Sequence, residues 1–199
     1  PELIEAVLAD GHEIIAHSTD MNGTITSELS IEEERALIAD SLSRIEAACG
    51  VRPTGWHSIA RSQSFNTLDL LAEHGFNYTC DWVNDELPYR FNNGVVNLPL
   101  NTELSDRMIV ATQQHSAEGW AQMMRDSFDW LAAEAKGPKG GKAYTKGGGR
   151  MLPMQLTPYI MGLPYRIGAL EDLLADFAAR EDAWFATGTE IVAEWEKQQ

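Results

Sequence analysis

The chain has 199 residues, 44% of them hydrophobic, and a formal charge of -15 from 30 acidic and 15 basic residues. The length supports one domain with a substantial buried core, and the composition excludes a disordered chain. No apolar run reaches the about 18 residues of a membrane span, and the acidic balance repels nucleic acid and anionic membrane surfaces.

In chain order, the first segment sets Leu3, Ile4, Val7 and Leu8 at helical spacing and stops at Gly11. A chain that opens inside a helix, with no initiator Met and no leader pattern, is expected to begin upstream of Pro1. His12 to Ser18, HEIIAHS, reads as a short apolar strand. Ser30 and Glu33 form a capping box ahead of a helix that Gly50 ends. TGWHSIA is strand-like, Asn66 or Thr67 caps a helix closed by Gly75, and FNYTCDW is another strand. Val95 to Leu100 and Met108 to Thr112 read as short strands. Ser116 opens a long amphipathic helix. MLPMQL follows as a strand, Ile167 to Ala179 as a helix, AWFAT as a strand and GTEIVAEWEKQ as a last helix.

Alternation of strand and helix points to an α/β fold with a parallel sheet or barrel. Such folds carry their sites at the C-terminal ends of strands. That rule selects Ala16 to Asn22, His57 to Ser62, Asp81 to Tyr89 and Thr157 to Gly162. Residues 136–150 hold five basic residues and six glycines without the spaced phosphate-loop pattern, so they read as a flexible loop. Cys49 and Cys80 are too few for a metal knuckle or a disulfide framework, and read as free thiols in a reducing cytoplasm.

The candidate residues follow from side-chain chemistry. His17 ends a strand next to Ser18, Thr19 and Asp20, where imidazole and carboxylate can hold a metal. In GWHSIARS, His57 can exchange a proton near neutral pH, and Arg61 can clamp a carboxylate or a polarised carbonyl. Trp56, Asp81, Trp82 and Asp85 offer aromatic walls and carboxylates for substrate binding, although Asn84, Asp85 and Pro88 are also turn chemistry. Thr157 and Tyr159 leave a strand toward the same pocket. No GxSxG elbow and no HExxH helix is present. Trp120, Met123, Met124 and Trp130 share helical spacing that serves either a core or a homo-oligomer interface.

Taken in order, GHEIIAHSTDMN, GWHSIARSQSFNTLDLLAEHGFNY, CDWVNDELPY and LTPYIMGLPYRIGALEDLL resemble the polysaccharide deacetylase superfamily of NodB homology, nearest its allantoinase and cyclic-imidase-like branch. The resemblance covers essentially the whole chain. It implies a single catalytic domain over residues 1–199, built as a distorted (β/α) barrel whose first strand lies outside this chain. It implies hydrolysis of an amide-type C–N bond in a ureide, a cyclic imide or an N-acyl compound, with a small-molecule or sugar-amide substrate. In metal-dependent members an Asp pair on the first strand, two histidines of an HxxxH segment and a late histidine serve the reaction.

Here His17 matches the first histidine of HxxxH, Met21 stands at the second, and Thr157 stands at the late one. The resemblance therefore leaves the cofactor as none or one zinc-type divalent metal at His17. Counting back from NTLDLL sets His57 to Arg61, rather than Arg52 and Pro53, on the family's Arg-containing strand motif. Two other readings stay open: a catalytically silent homologue that binds a small polar ligand or a partner, and a metal-dependent carbohydrate N-deacetylase.

Overall fold

The structure is a computed structural model that describes residues 2–139 and 147–199. The described residues form two compact units, Pro1–Pro99 with Ala186–Gln199, and Leu100–Phe185.

The first unit is an α/β layer. Its helices are α1 (Glu2–Ala9), α2 (Ile31–Cys49), α3 (Thr67–Glu73) and a C-terminal helix, Gly188–Glu196. Its strands β1 (Gly55–Trp56), β2 (Tyr78–Thr79), β3 (Tyr89–Arg90) and β4 (Val96–Asn97) pair in the order β1-β2-β4-β3. β1, β2 and β4 run parallel, while β3 returns antiparallel to β4. The HEIIAHS segment contributes only a bridge, Ala16 to Trp56, rather than a full strand.

Local chemistry explains the helices. The Ser30 side chain accepts from the Glu33 amide and Glu33 reaches back to Ser30, so the expected capping box is present, and Gly50 closes α2 in the left-handed conformation at φ 68°. Ile38 and Leu42 on α2 then meet Trp56, Leu70, Leu71 and Phe76 in a common core. Each such side chain, fully buried, stabilises the fold by about 1.5–3 kcal/mol.

The second unit is helical. α4 (Ala117–Ala135), α5 (Pro158–Met161) and α6 (Ile167–Ala178) enclose Trp120, Met124, Ile160, Met161, Leu173 and Phe177. The helix Gly188–Glu196 of the first unit is α7. Trp120 and Met124 are therefore core residues, Met123 packs against that core, and Trp130 is exposed. Three expected strands are absent here. Met108 to Thr112 lies in a π-helix, Arg107–Thr112, because Ser105 Oγ accepts from the Met108 amide at 3.1 Å and starts a turn. Ile109 and Val110 are both buried, which fits a helical face and not a strand's alternation. MLPMQL and AWFAT form no ladder: Leu152 and Met154 pack against the helical core without strand partners, and Trp184 and Phe185 are exposed. Of the glycine- and lysine-rich stretch, residues 140–146 lie outside the described residues. No helix among the described residues is long and apolar enough to cross a membrane.

One aromatic side chain dictates two glycines. Tyr78 is buried between Gly55 on β1 and Gly188 at the start of α7. A Cβ at Gly55 would stand 2.2 Å from Tyr78 Cζ, and one at Gly188 would stand 2.3 Å from its hydroxyl. Glu13 completes the junction by accepting from the Thr189 amide at 3.0 Å and from its hydroxyl at 2.6 Å. Gly55→Ala is expected to destabilise the protein by about 1–3 kcal/mol through overpacking, read as a lower urea midpoint with an unchanged slope.

Candidate functional site

Parallel register assembles the site. Ala16 pairs with Trp56, and Trp56 pairs with Thr79. The residues just beyond, His17, His57 and Asp81, therefore emerge side by side at the C-terminal ends of the strands, where α/β folds build their sites.

Asp81 is the centre of the arrangement. Its side chain is 1% exposed, and five donors reach it. Oδ1 accepts from His57 Nδ1 at 2.9 Å and from the Ser58 amide at 2.8 Å. Oδ2 accepts from Ser58 Oγ at 2.8 Å, Gln63 Nε2 at 2.5 Å and Thr79 Oγ1 at 3.0 Å. The indole of Trp56 in turn donates to Ser58 Oγ at 2.8 Å, which fixes that hydroxyl toward Asp81. Burial pushes the Asp81 carboxyl up, but the bonds from His57 and Ser58 outweigh it and hold the group below its ordinary value of 3.8.

These acceptors assign the histidine tautomers. His57 Nδ1 faces a carboxylate, and His17 Nδ1 faces the His57 carbonyl at 2.5 Å, so each Nδ1 carries the proton. In the neutral rings both Nε2 atoms then keep a lone pair. The rings stack with centroids 5.3 Å apart and planes 21° apart. Three residues beside them adopt left-handed backbone without being glycine: Ser18 at φ 68°, Ala60 at 51° and Arg61 at 55°. Each costs about 1–3 kcal/mol, and such strain gathers at functional sites. Buried Ser41 of α2 donates to the Ser18 carbonyl at 2.9 Å and supports that turn.

The structure distributes the expected residues unevenly. His17, His57 and Asp81 come together, and half-buried Arg61 lies in the short turn that follows His57. Asp81 lies beneath His57 rather than on a pocket wall, because its oxygens are taken by five donors. Trp56 is fully buried against Phe76 and touches no solvent, so it is a core residue. Trp82 is half exposed and edge-on to Phe91, and its amide and carbonyl are both bonded to the Asn97 side chain. Asp85 is exposed and accepts from the Glu86 amide, which is its turn role.

Thr157 and Tyr159 belong to the second unit. There Thr157 donates its amide and its hydroxyl to buried Asp106, at 2.6 and 3.0 Å, and Tyr159 receives a bond from Arg107. Ser58, Gln63, Thr79 and Asp106 were not among the residues singled out from sequence. The polar run from Arg61 to Ser64 was the available signal for Gln63.

Two imidazole nitrogens are on offer to a metal, but the Asp81 oxygens are already occupied by donors. Met21, at the place of the second family histidine, is 70% exposed. Among the described residues no group of three or more His, Cys, Asp or Glu side chains is arranged to hold a metal ion. The described residues do not by themselves make a metal site.

No family model and no curated protein matches the chain. Solved structures do. A probable polysaccharide deacetylase from Pseudomonas aeruginosa PAO1 aligns over the whole chain at 26% identity and a TM-score of 0.84, and Puue allantoinase at 26% and 0.83. A deacetylase-type structure from Mycobacterium smegmatis aligns at 23% identity and 0.77, over 68% of its own length. The chain spans 64% of the length of the first two structures. The TM-scores of 0.77 to 0.84 show that these proteins share this chain's fold. The chain is thus similar along its whole length to solved structures of a polysaccharide deacetylase and an allantoinase.

Because the folded Asp81 carboxyl titrates below its unfolded value, it adds stability above the ordinary aspartate range. That stability is lost as pH falls through the lower folded value. Asp81→Asn is expected to cost about 2–4 kcal/mol at neutral pH by facing an amide donor toward other donors. The difference from the parent protein should shrink on acidification below 3.8, followed by urea unfolding across pH.

Proposed function

We propose that the chain carries the hydrolysis of a non-peptide amide-type C–N bond, in a ureide, a cyclic imide or an N-acyl compound. The observation that carries this reading is the His57–Asp81 pair, whose geometry leaves His57 Nε2 as a proton acceptor. His57 takes a proton from water as its oxygen attacks the carbonyl carbon. Buried Asp81 stabilises the imidazolium that forms, and the proton then passes to the departing nitrogen as the C–N bond breaks. His17 Nε2 accepts the second hydrogen of the same water and orients it. Arg61 is assigned to the carbonyl oxygen or to a substrate carboxylate, and Trp82 to a flat face of the substrate.

The 26% identity to an allantoinase across the whole chain supports this substrate class. The same reading takes the fold as a distorted barrel and residues 1–199 as one catalytic domain. It also places the protein in the cytoplasm, in keeping with its two free cysteines.

A second reading, a catalytically silent homologue that binds a small polar ligand, draws on Met21 and on the tie between Thr157 and Asp106. A panel of allantoin, hydantoins, succinimides and N-acetyl sugars decides between them. Turnover of at least one compound is expected, with kcat lowered about 100-fold or more in His57→Gln while the fold is retained by circular dichroism. Failure on the whole panel sinks the hydrolase, whereas turnover abolished by His17→Ala or Arg61→Ala in folded protein sinks the silent homologue. Stoichiometric zinc in active purified protein would instead favour a metal-dependent N-deacetylase.

A further inference from the structure

Most described arginines are matched to carboxylates: Arg35 to Glu73, Arg125 to Asp176, and Arg180 to both Asp129 and Asp182. Two in the second unit are matched to tyrosines instead. Arg107 donates to the Tyr159 hydroxyl and lies 6.0 Å from that ring's centre. Arg166 lies 4.9 Å from the centre of the Tyr165 ring and donates to the Ile160 carbonyl at 3.2 Å. Among the described residues neither forms an ion pair with a carboxylate. Both contact α5, Arg107 at the Tyr159 hydroxyl and Arg166 at the Ile160 carbonyl. Tyr159 is 66% exposed and Tyr165 70% exposed, so this is an open surface.

The surface is also built. Asp106, fully buried, accepts from both the amide and the hydroxyl of Thr157 and so locks Arg107 and Tyr159 into neighbouring positions. Arg107 opens the π-helix, a rare element that recurs at functional sites. Each guanidinium spends one N–H on a protein acceptor and keeps further donors in its planar fork. Resting on a tyrosine, each is held in place before a ligand arrives.

We propose that Arg107 and Arg166, with Tyr159 and Tyr165, form a binding site for a small organic carboxylate. A chain of charge -15 repels anions over most of its surface, so two arginines without acidic partners single out this spot. The planar fork matches a carboxylate through two parallel N–H···O bonds. The inference goes beyond the hydrolase reading and does not depend on it, since binding is measured without turnover.

The test is calorimetric titration of the intact chain with succinate at low ionic strength. Saturable one-site binding is expected, weakened about ten-fold or more in Arg107→Gln and in Arg166→Gln, and unchanged in Arg125→Gln. The charge-conserving Arg107→Lys and Arg166→Lys are expected to weaken it as well, because the fork is lost. Succinate-induced amide shifts must fall on residues 105–108 and 157–166, a readout that needs no variant. The proposal is overturned if succinate gives no saturable binding, if both glutamine variants bind as the parent does, if the shifts fall elsewhere, or if inorganic phosphate binds equally well.

Discussion

A carboxylate that is buried and still charged must be surrounded by donors, and Asp81 meets that requirement with five. Taking such a charge out of water without partners would cost far more than a domain's whole margin of stability. The donors come from separate stretches of chain: His57 and Ser58 after β1, Gln63 after the short turn, and Thr79 on β2. The parallel register of β1 and β2 is what brings them within reach. Satisfying Asp81 therefore orients His57, pins the turn that carries Arg61, and joins the two strands at their C-terminal ends.

The same device recurs. Glu34 on α2 is fully buried and accepts from Ser64 Oγ and Thr67 Oγ1, both at 2.5 Å, which ties the loop before α3 to α2. Asp106 in the second unit accepts from Thr157. Among the described residues none of the three acids is paired with lysine or arginine. Hydroxyls, amides and one imidazole satisfy them, and these short donors impose direction on the loops they hold. The left-handed residues Ser18, Ala60 and Arg61 sit among these ties. Their strain is tolerated because the surrounding bonds and the Trp56 core leave the loops no relaxed alternative.

Sequence patterning exposed the helices well, because their signals are local. Ser30 with Glu33, Gly50 and Ser116 each act within one turn of the backbone, so the ends of α2 and the start of α4 were legible. Strands were less legible. Met108 to Thr112 has the apolar run of a strand, yet Ser105 turns it into a helix; MLPMQL and AWFAT have the composition but find no partner to pair with. A strand exists only where another chain segment offers its hydrogen bonds, and that partner cannot be seen locally.

For the site, the sequence by itself determined which side chains could carry chemistry. His17, His57, Arg61 and Asp81 follow strand-like segments, and Met21 and Thr157 stand where the resemblance implies histidines. Tertiary structure decided their surroundings. It sank Asp81 under His57, buried Trp56 in the core, left Asp85 in a turn, and stacked His17 on His57. It also recruited Ser58, Gln63 and Thr79, whose residue types are too common to be noticed in a sequence. The physical reason is the same throughout: a side chain's identity sets what it can donate or accept, whereas its tautomer, burial and partners depend on groups tens of residues away.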